Sequence, residues 1–413
     1  MNGKQAGKPH SSTPSANTGS STTVFLALAP LTLAVFIAFL TIGLQLPVLP
    51  LHLKEALGMN ATVVGVVVGA QFAAALLSRA WAGNVADLRG AKRAVVGGFL
   101  AAALSGLVYL ASLLWLDQPA LSVAVLLAGR VLLALGESLV ITGTMGWGIA
   151  LVGPQHGGKV MAWLGIAIYA AMAGGAPLGV AVSKAWGFAG IAGVSVLLPI
   201  VALLAVSPLR GVAPGASRRT PFYQVLGAVW KPGLGLAFSS VGFGVITAFI
   251  ALLFAARSWG DSSLAFTSFG VAFIVARLFF AHLPDQIGGA KVALVCVVIE
   301  VCGQLLIWQA DHTWMAYAGA ALTGFGYSLV FPGFGVEAMR RAPPQTRGLA
   351  MGAYVAFLDL SLGITSPLAG ALASHAGVQD VYLAGAVVVG LAMLVALSLL
   401  SKTPASEGVV KGS

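Results

Sequence analysis

Arg79-Ala80-Trp81-Ala82-Gly83-Asn84-Val85-Ala86-Asp87-Leu88-Arg89-Gly90-Ala91-Lys92-Arg93 is the stretch on which the reading of this chain turns. It sets four cations, one carboxylate and two glycines within 15 residues, with apolar runs on either side. In a chain only 8% charged, such density marks a place where the polypeptide leaves an apolar medium. The pattern returns 198 residues later as Arg277-Leu-Phe-Phe-Ala-His-Leu-Pro-Asp285-Gln-Ile-Gly288-Gly-Ala-Lys291, with Arg, Asp and Gly in the same register.

Working outward, the flanking runs are long. The 413 residues are 58% hydrophobic, with a mean hydropathy of +0.95. Soluble domains carry about 25% charged residues, three times the share found here. Apolar segments fall at 24–47, 61–82, 94–116, 120–148, 159–182, 188–207, 233–256, 264–283, 292–309, 313–335, 349–373 and 381–401. Each reaches the ~17–25 residues that cross a bilayer as a helix. Helices satisfy their own backbone groups, which a lipid-exposed chain requires. The expectation is an all-α membrane protein with twelve transmembrane helices. Residues 1–23, rich in Ser, Thr and Gly, read as a disordered cytoplasmic tail, 24–207 as one six-helix bundle, and 208–232 as a basic cytoplasmic connector. Residues 233–401 read as a second bundle and 402–413 as a cytoplasmic tail.

The net charge of +10 is sorted by side. With the N-terminus in the cytoplasm, most basic residues lie at cytoplasmic loops, tails or helix ends, among them Arg210, Arg218, Arg219, Arg340 and Arg341. Lys54, Lys184 and Arg257 fall outside. That is the positive-inside bias of a bacterial inner-membrane protein, and it removes the argument for a nucleic-acid partner. The two cysteines, Cys296 and Cys302, share one apolar segment and read as small buried hydrophobes. Asn60-Ala-Thr62 matches a glycosylation sequon, for which chance is the better account. No zinc-protease, nucleophile-elbow or Walker pattern occurs, so neither an enzyme nor ATP-driven transport is indicated.

The halves are internally related. Gly136-Glu-Ser-Leu-Val140 matches Gly326-Tyr-Ser-Leu-Val330 at an offset of 190. At the same offset Gly158, Met161, Pro177 and Leu178 match Gly348, Met351, Pro367 and Leu368. Duplicated six-helix halves are a common construction of secondary transporters.

Ionisable residues at membrane depth are functional candidates by default. Helix 4 holds Arg130 and Glu137 on one face, helix 9 holds Glu300, and helix 11 holds Asp359 near its middle. The repeat aligns Glu137 with Tyr327, Tyr169 with Asp359, and Arg130 with Ala320. Asymmetric charge of this kind favours a coupling or substrate site where the halves meet. Arg130 as a structural tie to backbone carbonyls, and Glu300 as a lateral helix–helix hydrogen bond, are the plainer alternatives. Gln45, Tyr169, Tyr327 and Tyr354 are candidate polar residues of a cavity. Gly174-Gly175-Ala-Pro177-Leu-Gly179 reads as a packing kink in helix 5. Asp87 has two readings, attraction to a helix N-terminus or a salt bridge with Arg79, Lys92 or Arg93.

With these residues in view, the chain resembles the major facilitator superfamily. Gly83-x-x-x-Asp87-x-x-Gly90-x-Lys92-Arg93 is similar to that family's signature between helices 2 and 3. The second copy keeps Asp285, Gly288 and Lys291 but has Ala281 for the first glycine. Arg130-x-x-Leu133-Ala134-x-Gly136 looks like the helix-4 motif of proton-coupled members, with Leu133 and Ala134 in place of its Gln and Gly. Gly165 and Gly174 match the gap of the antiporter helix-5 motif, with Pro177 out of register. Ala281-His-Leu-Pro-Asp285, Gly-Glu-Ser-Leu-Val and Ala353-Tyr-Val-Ala-Phe-Leu-Asp359 resemble the bacterial YhhS-like subgroup.

The resemblance implies two pseudo-symmetric six-helix bundles that rock about a central cavity. It also implies a cytoplasmic gate built from Arg79, Gly83, Asp87, Gly90, Lys92 and Arg93, with Arg277, Asp285, Gly288 and Lys291 as its second copy. The function expected is proton-coupled efflux of a small organic solute by a monomer in the lipid bilayer, powered by the proton gradient with no cofactor and no metal. Arg130 would tune the site, and Asp359 or Glu137 would carry the proton. A coupled importer or uniporter, or a non-transporting receptor on the same fold, are the alternatives.

Overall fold

The structure, a computed structural model, describes residues 21–153, 156–212, 223–343 and 347–401. Every regular element among them is helical. Helix α1 spans Ser21–Gln45 and is prolonged by the short turns Val48–Leu51 and His52–Ala56. Helices α2 (Ala61–Arg89), α3 (Ala91–Ser112) and α4 (Pro119–Val152) follow. Gly157–Val206 is helical throughout except at Gly187, whose φ of 61° and ψ of −159° divide it into the arms α5 and α6. The second half holds α7 (Tyr223–Ala256), α8 (Ser263–Phe280), α9 (Gly289–Trp308), α10 (Thr313–Arg341), α11 (Arg347–Ala376) and α12 (Asp380–Leu400). Counting the two arms separately gives the twelve spans expected; eleven continuous stretches are long and apolar enough to cross a membrane.

Local chemistry explains the breaks. Asn60 ends the loop before α2, its Oδ1 accepting from the Val63 N–H at 3.0 Å, an N-cap that satisfies one free donor. Thr62, the other end of the apparent sequon, bonds across to Ser374 of α11 at 3.0 Å, so both polar residues are used structurally. Gly90 (φ 90°) and Gly288 (φ 98°) sit at equivalent turns into α3 and α9, a backbone region that L side chains rarely adopt. The duplication is thus visible in the main chain as well as in the sequence.

Several boundaries shift. The connector is shorter than 208–232, because Tyr223–Pro232 already belongs to α7; Pro232 is tolerated where neighbouring helices re-satisfy the freed carbonyl. The tail expected at 1–23 lies outside the described residues up to Ser20, as do Arg218, Arg219 and the tail from Lys402. Cys296 is buried but Cys302 is exposed, since six residues along a helix is not a whole number of turns.

Leu77, Leu104, Leu197, Leu204, Leu278, Phe279, Val295 and Leu394 are among many large apolar side chains left exposed. On this scale such exposure identifies a multi-pass membrane protein whose rim meets lipid.

With an even number of helices, both ends of the bundle lie on one face, here termed proximal; the other is distal. At the distal face the halves share one core, which draws Leu53, Val64 and Leu126 from the first and Phe249, Phe269 and Leu362 from the second. Toward the proximal face each half keeps its own core, one built from residues between Leu28 and Val206, the other from residues between Val225 and Leu399. Helices α2 and α11 touch along small residues. A Cβ on Gly370 would sit 2.5 Å from the Ala61 carbonyl oxygen, and one on Gly363 3.2 Å from the Ala73 nitrogen. Helices α5 and α8 do the same, with the Thr267 hydroxyl donating to the Ala173 carbonyl at 2.8 Å. Small residues are what allow backbones to approach this closely in lipid. A Cβ on Gly83 or on Gly165, nearer the proximal face, would meet nothing within 4 Å. The molecule is closed distally and its halves diverge proximally.

Candidate functional site

Where the α2–α11 contact ends, an ion pair begins. Arg79 Nη2 donates to Asp359 Oδ1 at 2.8 Å, and Arg79 Nε donates to Oδ2 of the same carboxylate. The two residues are 280 positions apart and lie in different halves. Asp359 is 2% exposed. Arg79 lies ten residues before the proximal end of α2, a rise of about 15 Å. The fork-to-fork geometry suits a guanidinium, which presents parallel donors to both carboxylate oxygens. Among the described residues this is the one ion pair that joins the halves; the other, Glu337–Arg340 at 3.5 Å, runs along α10. Arg79 therefore moves from the rim gate, where the repeat had set it, to the interior. Asp359 stays a mid-membrane acid, now with a named partner.

A second group of polar residues flanks the pair within the first half. Gln71 Nε2 on α2 donates to Glu137 Oε2 on α4 at 2.8 Å. Arg130, two turns away on α4 and 3% exposed, donates from Nη1 to Gln45 Oε1 at 3.1 Å. Gln45 in turn donates to the Ser195 hydroxyl at 3.1 Å. Arg130 and Glu137 share a helix face as the spacing predicts, yet each is tied to a different glutamine. The charged groups facing Glu137 are Arg79, Asp359 and Arg130. Arg79 thus pairs with a carboxylate of the other half and has one of its own half among its charged neighbours.

The matching region around α8, where α5 of the first half meets the second, is aromatic. Tyr169 of α5 stacks on Phe273 of α8 with centroids 3.6 Å apart, and Phe243 of α7 stacks on Tyr327 of α10 at 5.6 Å. Phe269 lies against both tyrosines. Arg277, the counterpart of Arg79, also turns inward. Its guanidinium carbon is 5.2 Å from the Phe273 centroid, and its Nη2 donates to the Ser328 carbonyl at 2.9 Å. It too leaves the gate to which the repeat had assigned it.

Two candidates become structural. Glu300 is fully buried and accepts from the Ser239 hydroxyl of α7, a lateral bond inside one half. Tyr354 is fully buried and donates to the Phe331 carbonyl at 2.8 Å, tying α11 to α10. In helix 5, Gly175 and Gly179 do meet α1; a Cβ on Gly175 would lie 3.0 Å from the Gly43 Cα. Gly174 faces open space and is not part of that contact. Pro177 lies inside the helix, as Pro367 does in α11.

At the proximal rim the signature stretch is not clasped in this conformation. Asp87 is exposed, as are Arg93, Asp285 and Lys291. Lys92 Nζ donates to the Ser207 and Leu209 carbonyls at 2.6 and 2.7 Å. It thereby caps the C-terminal end of α6, where carbonyls lack helical partners and a cation is favoured. Of the partners open to Asp87, Arg79 and Lys92 are thus engaged elsewhere. The sequence reading passed over Gln71, although a glutamine in an apolar run was the available signal. It also passed over Phe243 and Phe273, two of 20 phenylalanines with nothing local to single them out.

This geometry has known relatives. The model of the Major Facilitator Superfamily matches residues 31–260 and again 233–413. A Pseudomonas aeruginosa protein named as an uncharacterized MFS-type transporter is 44% identical over 394 residues, covering 95% of this chain and 98% of that one. The Escherichia coli K12 MFS-type transporter YhhS is 43% identical over 369 residues, 89% of this chain and 91% of its own. Among solved structures, a mutant form of the nucleoside transporter NupG superposes with a TM-score of 0.70 at 14% identity, over 91% of this chain and 99% of that one, a likeness of fold. Duplicated six-helix halves, the glycine–aspartate signature at the turn into α3, and relatives matched over nearly their whole length converge on one statement: this chain belongs to the Major Facilitator Superfamily, as a multi-pass membrane transporter with the secondary-transporter fold.

Proposed function

We propose that the protein is a proton-coupled transporter that moves a small organic solute out of the bacterial cytoplasm by alternating access, working as a single chain in the inner membrane. The proximal face would be cytoplasmic, since Arg89, Lys92, Arg93, Lys159, Arg340 and Arg341 lie on that side and Lys54, Lys184 and Arg257 on the other. The observation that carries the proposal is the Arg79–Asp359 pair. Opening the distal face requires α2 to part from α11, and the pair must break with it. Leaving two bare charges in a low-dielectric interior is costly. A proton on Asp359 removes one of them, and Arg79 then turns to Glu137 in its own half. Protonation from the distal side and deprotonation when the pair re-forms carry a proton inward on each cycle. The proton coupling draws on the partial match of Arg130-x-x-Leu133-Ala134-x-Gly136 to the helix-4 motif of proton-coupled members, and the outward direction on the Gly165–Gly174 gap of the antiporter helix-5 motif, with Pro177 out of register.

Purified protein in liposomes loaded with a pH-sensitive dye tests this. Solute gradients from a panel of small organic compounds should drive proton movement in the wild type. Asp359→Asn should abolish it, and Glu137→Gln should slow it. Unchanged coupling in both variants would discard the carrier assignment.

A further inference from the structure

The two halves present the same contact with different chemistry. An offset of 198 places Arg277 where Arg79 stands, and an offset of 190 places Tyr169 where Asp359 stands. Both arginines reach the inter-half region, but Arg79 finds a carboxylate and Arg277 finds the face of Phe273 and one backbone carbonyl. The titratable groups that face Arg277 are Tyr169 and Tyr327, with no carboxylate within ion-pair distance among the described residues. Its polar contact is one backbone carbonyl, and its Nε is buried without a partner. A guanidinium remains charged in any such setting. The face of Phe273 and one carbonyl dipole offset part of its desolvation but supply no counter-charge.

We infer that the missing counter-ion is the solute's own, and that Arg277 anchors an organic carboxylate bearing an aromatic ring. The carboxylate takes the place that Asp359 fills in the other copy, bound to the free edge of the Arg277 guanidinium. The ring lies against Tyr169, the half-buried member of the cluster, behind which Phe273, Phe243 and Tyr327 are buried and stacked in pairs. Tyr169 comes from the first half and Arg277 from the second, so an occupant touches both halves. This substrate class rests on the transport reading above, but its residues are separate from the proton pair.

Binding to the purified full chain tests it, with labelled indole-3-acetate as probe and indole-3-acetamide and tryptamine as neutral and cationic competitors. Saturable binding of indole-3-acetate is expected, with neither competitor displacing it. Arg277→Gln should weaken it about tenfold to hundredfold, the worth of one charge-assisted contact, and Arg277→Lys should recover part. Tyr169→Asp should weaken it as much while leaving the protein folded, because the new carboxylate pairs with Arg277 from within. Glu55→Gln, on the exposed distal face, should bind as wild type. Equal binding of all three compounds, no binding of indole-3-acetate, or wild-type affinity in Arg277→Gln overturns the inference. Normal proton coupling to a neutral or cationic solute removes the anion class and leaves transport intact. Binding with the expected residue dependence, but no solute-driven proton flux, removes the transport reading instead.

Discussion

The Arg79 and Arg277 regions are copies of one pattern that now differ in the acids around the arginine, Asp359 and Glu137 in one copy against Tyr169 and Tyr327 in the other. In the first, a half-buried arginine meets the buried Asp359 across the halves. In the second, the arginine stands over Phe273 beside two tyrosines. The helices around each are placed alike, as Gly90 and Gly288 show by adopting the same unusual backbone. Duplication has therefore preserved where a side chain is presented and released what it presents. One copy carries its counter-charge on its own chain and can link it to conformation. The other leaves a vacancy of charge that something mobile can fill.

Removing Asp359 should break this contrast most severely. Asp359→Leu takes from the half-buried Arg79 its partner across the halves and leaves it Glu137 alone, and a loss of about 1–3 kcal/mol is expected. Thermal unfolding of purified protein should show it, and the double variant Arg79→Leu/Asp359→Leu should regain most of the loss. A double variant as unstable as the single would mean the pair is not the interaction at stake. Next comes the small-residue contact that brings the pair together. Gly370→Leu forces a side chain into the Ala61–Thr62 backbone, at about 1–3 kcal/mol by the usual cost of overpacking. Labelling of single cysteines on the distal face should rise, because the closed arrangement is penalised and the open one is not.

Smaller again is the Thr62–Ser374 hydrogen bond at the distal end. Thr62→Val should cost about 0.5–1.5 kcal/mol and move distal cysteine labelling in the same direction as Gly370→Leu, to a lesser degree. The least effect on stability is expected from Asp87→Asn, within about 0.5 kcal/mol, since Asp87 is exposed and unclasped here. Its consequence belongs to the other conformation. Turnover in liposomes should slow while solute preference is unchanged; normal turnover would reduce the signature stretch to a determinant of topology.

Much of this was legible before any coordinates. The span lengths followed from apolar runs, and the boundary glycines Gly90 and Gly288 from the repeat. Asp359 and Glu137 stood out because charge is rare in an apolar chain. Even the Arg79–Asp359 pair left a trace, since the acid–tyrosine exchange at 359 and 169 pointed to the inter-half surface. Arg79 and Arg277 turn inward to Asp359 and to the Ser328 carbonyl, not toward Asp87 and Asp285, their neighbours in the sequence motif. Ten residues of helix separate Arg79 from the end of α2, enough to carry it from the surface into the interior. Glu300 makes the lateral hydrogen bond that was its plainer reading, to Ser239 of α7. Tyr354, a candidate cavity residue, instead bonds the Phe331 carbonyl, because the direction a helical side chain faces is set by neighbours distant in sequence.

The sequence by itself determined that this is a duplicated bundle of twelve spans with a few charges at depth. Backbone satisfaction and bilayer thickness are local demands, written into each segment's length and composition. Tertiary structure alone decided which charges have partners. Rotation of a helix about its axis, and the contact of α2 with α11, depend on packing among segments hundreds of residues apart. It is that packing which pairs Arg79 with Asp359 and leaves Arg277 facing rings.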